Sequence, residues 1–322
     1  MKKKLFTSLV LTAALSIGAL TGCGSASTAT ATDSAGNNEN ASAKSEASDT
    51  ASAETSDNTP AETETSNEDK VIRVGATPVP HAEILDNIVK EILAEDGWTL
   101  ETVIFQDYVL PNTSLEAEEL DANYFQTLAY MNGQNEESGL HLTAVTGVHI
   151  EPMGIYSQKY TSIEDIPDGA EIGVPNGPDN EDRALDLLVQ KGLLVSTGNI
   201  KTDDNYTEKS LTEDKEANPH GYVITALDPA SLPLSLPDLD AAVINGNYAL
   251  EANLPSTYPA LEIEEFDDET SIKRTNFLVV KEGNEASEKT TALINALKSD
   301  KVKEYIEETY KGAVIPSFID PQ

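Results

Sequence analysis

Carboxylates dominate the chemistry available to this chain: 56 Asp and Glu stand against 21 Lys and Arg in 322 residues, a formal net charge of −35. With so many acids, two that happen to resemble a general acid–base dyad carry little information. The four histidines (His81, His141, His149, His220) show no metal-ligand spacing, and the single cysteine, Cys23, lies close to the N-terminus. No GxSxG, P-loop, GxGxxG or HExxH pattern occurs. The acidic clusters Asp267-Asp-Glu269 and Glu116-Ala-Glu-Glu119 lack the glycine and spacing of a calcium loop. The chain therefore reads as a non-enzyme, with no cofactor or metal expected.

Residues suited to binding are better represented. Arg183 is one of only three arginines, with Arg73 and Arg274. It stands one turn into the helix expected after the strand Ile172-Gly-Val174 and the break Pro175-Asn-Gly-Pro178. A strand–loop–helix junction leaves backbone N–H groups pointing outward, and an added guanidinium would make it a seat for a carboxylate. Spacing alone also allows Arg183 to pair with Asp179 or Asp186 on a solvated helix face, while Glu181 and Asp182 compete for the positive helix end. Tyr108, Tyr124, Phe125 and Tyr130 fall on or beside loops after expected strands, and Asn180 and Asn245 occupy strand-to-helix turns. Rings walling a slot, with amides and one arginine at its end, suit a zwitterionic amino acid. The rings would cover the side chain, the guanidinium would fork the carboxylate, and amide oxygens or a nearby acid would take the ammonium. Taken singly, each residue also has a structural reading, as a core ring or a turn asparagine.

The elements that must position these groups alternate along residues 71–322. Strands are expected at 71–75, 99–105, 121–125, 140–145, 150–156, 170–174, 222–226, 241–244 and 275–280. Helices are expected at 82–95, from the capping-box sequence Thr113-Ser-Leu-Glu116 to 120, at 126–132, and from an N-cap at Asp179 or Asn180 to the stop at Lys191-Gly192. A one-turn helix at Ser162, a short one at 248–251 and one long closing helix over 289–310 complete the set. Residues 199–218 read as irregular. Alternation of this kind predicts an α/β fold with mostly parallel sheets. A chain that leaves one lobe midway and returns near its end makes two lobes joined by two crossovers, with the cleft where strand C-termini converge.

The N-terminus is organised differently. Three lysines, an apolar run over 5–20 and Leu20-Thr-Gly-Cys23 compose a secretory signal (1–22) too short for a permanent span. Leu-Thr-Gly-Cys resembles the bacterial lipobox, whose cysteine becomes the lipidated first residue, so Cys23 is the expected lipidation (palmitate) site. Residues 24–70 hold no Leu, Ile, Val, Met or aromatic side chain and carry ten acids against two lysines. They cannot offset the entropy of ordering, so 23–70 is expected to be a disordered tether spanning on the order of 40 Å. The body keeps 46 acids against 16 basic residues, which argues against nucleic acid as a partner.

Several motifs run in order across the body: Val74-Gly-Ala-Thr-Pro-Val-Pro-His-Ala-Glu83, Phe105-Gln-Asp-Tyr-Val-Leu-Pro-Asn112, Asp121-Ala-Asn-Tyr-Phe-Gln126, Pro152-Met-Gly-Ile-Tyr-Ser157, Val174-Pro-Asn-Gly-Pro-Asp-Asn180 with Arg183-Ala-Leu185, and Asp240-Ala-Ala-Val-Ile-Asn245 with Asn247-Tyr-Ala249. As a set they resemble the methionine-binding lipoproteins of the MetQ/NlpA type, solute receptors of bacterial ABC importers. The resemblance implies a type 2 periplasmic-binding-protein fold, with lobe 1 at 71–154 and 268–322 and lobe 2 at 155–267. It implies that Tyr108, Phe125 and Tyr130 line the side-chain pocket, that Arg183 with Asn180 holds the carboxylate, and that Asn245 fixes the backbone end, with His81 and Glu83 as lesser candidates. Thr127, where the family usually has His, and Glu181-Asp182, where it favours small or neutral residues, depart from the pattern. The implied partners are an amino acid (methionine or a methionyl dipeptide), an ABC permease with its ATPase, and the extracytoplasmic face of the cell membrane through the lipid on Cys23. The two departures also motivate a second reading, a surface lipoprotein of the same fold with a changed ligand or an adhesion role and no transport.

Overall fold

A computed structural model describes residues 70–196 and 214–321. The signal, Cys23, the tether and most of the irregular 199–218 stretch fall outside these residues. The described chain forms two mixed sheets. The first has six strands in the order β11-β4-β10-β3-β1-β2, and the second five in the order β7-β6-β8-β5-β9.

In the first lobe, β1 (Val71–Ala76) lies parallel to β2 (Thr99–Ile104) and β3 (Ala122–Thr127). β10 (Thr275–Lys281) runs antiparallel to β3 and to β4 (Leu142–Ile150), and β11 (Ile315–Pro316) pairs with β4. In the second lobe, β6 (Glu171–Pro175) is parallel to β7 (Val223–Leu227) and β8 (Ala241–Ile244), while β5 (Gly154–Tyr156) is antiparallel to β8 and to β9 (Glu262–Ile263). Mostly parallel sheets were the expectation, and the mixture corrects it. The antiparallel strands include the two that enter by crossing from the other lobe, β5 and β10, and a chain arriving from the cleft runs against strands that point toward it. Each lobe has its own core, around Ile72, Val74, Leu85, Leu278 and Leu297 in the first and Ile155, Ile172, Leu185 and Val243 in the second.

The helices follow their sequence signals with three corrections, and the helix at 268–274 is one that the sequence reading did not offer. α1 (Lys90–Glu95) continues helical turns over Pro78–Ala82 and Leu85–Val89. α2 spans Leu110–Glu116, so Thr113 is inside the helix and opens no capping box. Asp107 Oδ1 takes the capping role, accepting the N–H groups of Val109 and Leu110, and Pro111 fits the first turn. α3 (Leu128–Ser138) is capped by Thr127, whose hydroxyl accepts the Tyr130 N–H. α4 (Pro178–Gln190) begins at Gly177, not at Asp179 or Asn180: Gly177 adopts φ 91°, where a side chain would be strained, and Pro178 supplies a ready φ for the first turn. α5 (Gly246–Glu251) follows β8 directly, and α6 (Asp268–Arg274) precedes β10.

The long closing helix divides into α7 (Glu288–Leu297) and α8 (Asp300–Tyr310). Its apolar period is continuous in sequence, yet Ser299 breaks it by accepting the Val302 N–H with its own hydroxyl, a bond available only to a non-helical cap. Ser299→Ala is expected to lower stability by about 1 kcal/mol, the usual worth of an N-cap; urea unfolding should show the shift in midpoint.

Candidate functional site

Four strand C-termini converge between the lobes, and each delivers side chains to one small cavity. The turn after β1 brings His81, the end of β3 brings Phe125, Gln126 and Thr127, β6 and α4 bring Asn180 and Arg183, and β8 with α5 brings Asn245, Gly246 and Asn247. Tyr108, Tyr130, Glu151 and Asn276 complete the lining. The site candidates of the sequence thus meet in one place except two: Glu83, whose carboxylate accepts the Tyr310 hydroxyl at 2.8 Å, and the ring Tyr124, which is buried in the first lobe's core. Thr127 lines the cavity while its hydroxyl serves the α3 cap.

Rings form one side. Tyr108 lies with its centroid 5.7 Å from Phe125, 5.7 Å from Tyr130 and 5.1 Å from Tyr248. Tyr108 also crosses the cleft, its hydroxyl donating to Asn247 Oδ1 at 2.6 Å, and Tyr248 answers from the other lobe by donating to Gln106 O at 3.3 Å. Burial pushes both phenols up, so they remain donors at any physiological pH. Behind Gln126, a buried amide network with Asn112 and Asn123 fixes its orientation (Gln126 Nε2 to Asn112 Oδ1 2.6 Å and to Asn123 Oδ1 2.8 Å).

The opposite side is charged. Arg183 is 7% exposed, which removes it from the solvated helix face that spacing allowed. Its Nη2 lies 2.6 Å from Glu264 Oε2 and also donates to Glu151 O at 2.7 Å. Glu151 itself is buried beside two imidazoles. His149 Nε2 lies 2.6 Å and His81 Nε2 3.1 Å from Glu151 Oε1. The Tyr124 phenol, held protonated by burial, donates to His149 Nδ1, so the proton of that ring sits on Nε2 and points at Glu151. Burial alone would raise the Glu151 pKa, but the His81 charge and the bonds from both rings outweigh it and hold the carboxyl at about 2.

His81, His149 and Glu151 thus have ligand atoms within 4.8 Å of one another, a grouping that the histidine spacing in sequence does not reveal. Oxygen-to-nitrogen separations of 2.6 and 3.1 Å are those of hydrogen bonds, and the carboxylate is satisfied by them. Two polar atoms nearby are not. Among the described residues, Asn245 Oδ1 and Asn247 Nδ2 are buried without a partner, although Asn245 Nδ2 donates to Asn180 Oδ1 at 2.8 Å. Unpaired buried polar atoms are costly, and here one acceptor and one donor belong to residues that line the same cavity.

The inner cavity measures about 30 Å³. One water needs roughly 10–15 Å³ on this measure, so the lobes must part to admit anything the size of an amino acid. Outside it lies a larger chamber of about 600 Å³ that shares Tyr108, Tyr130 and Asn180 with the inner one. The first lobe contributes Asp107, Glu136 and Glu137 to its wall, and the second contributes Asp179 and Asp228. Burial, and next the charge of Glu137, push the Asp179 pKa up.

Sequence reasoning missed Glu151, Asn247, Asn276 and Glu264. Glu151 had a legible signal, being the lone acid in residues 140–157, an otherwise apolar and neutral run. Glu264 had none, since it lies in the acid-rich stretch Glu262 to Glu269.

The NlpA lipoprotein family model matches residues 72–318. The chain belongs to this family. The methionine-binding lipoprotein MetQ of Bacillus subtilis is 35% identical over 250 residues, covering 77% of this chain and 88% of the relative. A crystallised lipoprotein from Ruminococcus gnavus is 43% identical with a TM-score of 0.70, over 77% of this chain and 99% of the other. A nutrient-binding protein from Burkholderia cenocepacia, solved bound to methionine, is 36% identical with a TM-score of 0.70, over 77% of this chain and all of the other. The fold is the two-lobed one of periplasmic binding proteins, and the family binds solutes without transforming them. Relatives are named membrane lipoproteins, and among the described residues no helix is long and apolar enough to cross a membrane.

The buried acids make stability depend on pH in a set direction. His149 is pushed down by burial, so its contribution is complete above its ordinary value of 6.5 and is lost as pH falls below it. Glu151, depressed from 4.5 to about 2, contributes fully above 4.5 and is lost between those values. Thermal midpoints should hold steady at neutral pH, decline below about 6.5 and drop further from 4.5 downward; Glu151→Gln should shrink the lower step, leaving the part due to other depressed carboxylates such as Glu264.

Proposed function

We propose that this protein is a lipid-anchored, extracytoplasmic receptor that binds a zwitterionic amino acid, methionine or a close relative, and delivers it to an ABC permease. The observation that carries the reading is the meeting, in one interlobe cavity, of a guanidinium (Arg183), a carboxylate (Glu151) and two partnerless amide atoms on Asn245 and Asn247. A guanidinium and a carboxylate that share one wall, facing a wall of rings, match the two charged groups and the side chain of an amino acid. The ligand carboxylate meets Arg183 with Asn180, its ammonium meets Glu151 and Asn245 Oδ1, and its side chain lies against Tyr108, Phe125 and Tyr130. Such contacts come from both lobes, so the ligand stabilises the shut form over the open one by its differential contacts. Anchoring rests on Cys23 and its lipobox, and the relatives named for methionine support the choice of side chain.

Thr127 favours a second reading within the same fold. It stands where the family usually carries His and spends its hydroxyl on the helix, so the wall that meets the ligand side chain differs and the preferred side chain can differ with it.

Isothermal titration of residues 71–322 against the amino acids and methionyl dipeptides tests both. Methionine, or an amino acid of similar length and apolarity, is expected to bind best. N-acetyl-L-methionine, which lacks the cationic amine, is expected to bind about 10–100-fold more weakly, the worth of one charge-assisted hydrogen bond. Silence across the whole panel would end the receptor reading.

A further inference from the structure

Arg183 has more hydrogen bonds than its place in the cavity requires. Its Nε lies 3.0 Å from each Glu264 oxygen, and Nη2 reaches Glu264 Oε2 at 2.6 Å and Glu151 O at 2.7 Å. These bonds use the Nε–Nη2 edge of the guanidinium and none of them takes Nη1, while Arg183 lines the cavity. Glu264 is itself only 8% exposed, and it has two further partners. The Met153 N–H donates to Oε2 at 3.2 Å, and Arg274 Nε lies 3.0 Å from Oε1.

Those two partners belong to the chain segments that join the lobes. Met153 sits in the first crossover, between β4 and β5, and Arg274 ends the second, between β9 and β10. Glu151, whose carbonyl accepts from Arg183, is also in the first crossover. One carboxylate therefore ties the guanidinium of the cavity to both strands of the hinge. Stability alone does not call for this arrangement, since apolar side chains of equal volume commonly replace a buried ion pair without loss. An arginine must, however, be held edge-on to fork a carboxylate, and an untethered side chain of that length samples many rotamers.

We infer that Glu264 is a positioning residue for the carboxylate end of the site: it orients Arg183 toward the ligand and couples that orientation to the two interlobe crossovers. The inference rests on the reading of Arg183 as the carboxylate's partner. It assigns Glu264 no contact with the ligand.

The test compares L-methionine with L-methioninamide, which share side chain and amine and differ only at the acid, titrated at slightly acidic pH into wild type and Glu264→Gln. Wild type is expected to prefer the acid by about 10-fold or more, as a charge-assisted bond implies. In Glu264→Gln the affinity for the amide should stay near its wild-type value while the preference for the acid collapses. A folded Glu264→Gln that keeps the full preference, or that loses both ligands by the same factor, overturns the inference. A wild type with no preference removes the role given to Arg183 and the inference with it, an outcome visible before any variant is made. Should circular dichroism show Glu264→Gln unfolded, Glu264→Asp retains the charge but withdraws it by one methylene. It is expected to show an intermediate preference, and an unchanged one overturns the inference equally.

Discussion

Two opposite charges are kept out of water within one cleft, and most of the architecture around them exists to make that tolerable. An ion removed from water costs several kcal/mol unless hydrogen bonds and a counter-charge replace its hydration. Glu151 is satisfied by two imidazoles, and Arg183 by Glu264 and a backbone carbonyl. Tyr124 orients one of those imidazoles through its second nitrogen, and Thr77 bonds the other at 2.8 Å. Each partner is held by a different element, so the charged pair stands only when β1, β4, α4 and the second crossover are all in place. The residues that hold the site are, to a large degree, those that hold the lobes together.

What could be read from the sequence was whatever is local. Period and punctuation located nine of the eleven strands among the described residues, missing the two-residue β9 and β11, and most of the longer helices, because each of those signals is decided within a few residues. The misreadings were local too, and each was a contest between two signals. Ser299 interrupts an unbroken apolar stripe because its hydroxyl competes with the backbone, and Asp107 takes a cap that the Thr113 sequence seemed to offer. Strand direction was misjudged for a different reason. Whether β5 and β10 run with or against their neighbours depends on where the chain crosses between lobes, which no window of sequence contains.

The same division holds at the site. Residues at strand ends, such as Asn180, Arg183 and Asn245, were recognisable because a strand-to-helix turn is both a local pattern and a place where ligands bind. Glu264 was hidden because its role is a relation to residues 81 and 111 positions away. His149 shows the point from another direction. Its distance in sequence from His81 suggested nothing, yet β1 and β4 bring the rings to 5.0 Å of each other.

The outer chamber carries a consequence of its own. Acids of one lobe look across it at acids of the other, Asp107, Glu136 and Glu137 toward Asp179 and Asp228. A closing movement of the lobes would compress like charge, so the mouth would act as a weak spring loaded against the bite. Dissolved ions shield charges at a solvent-filled rim more than those in the dry floor. Ionic strength therefore sets the stiffness of that spring while leaving the grip beneath it almost untouched.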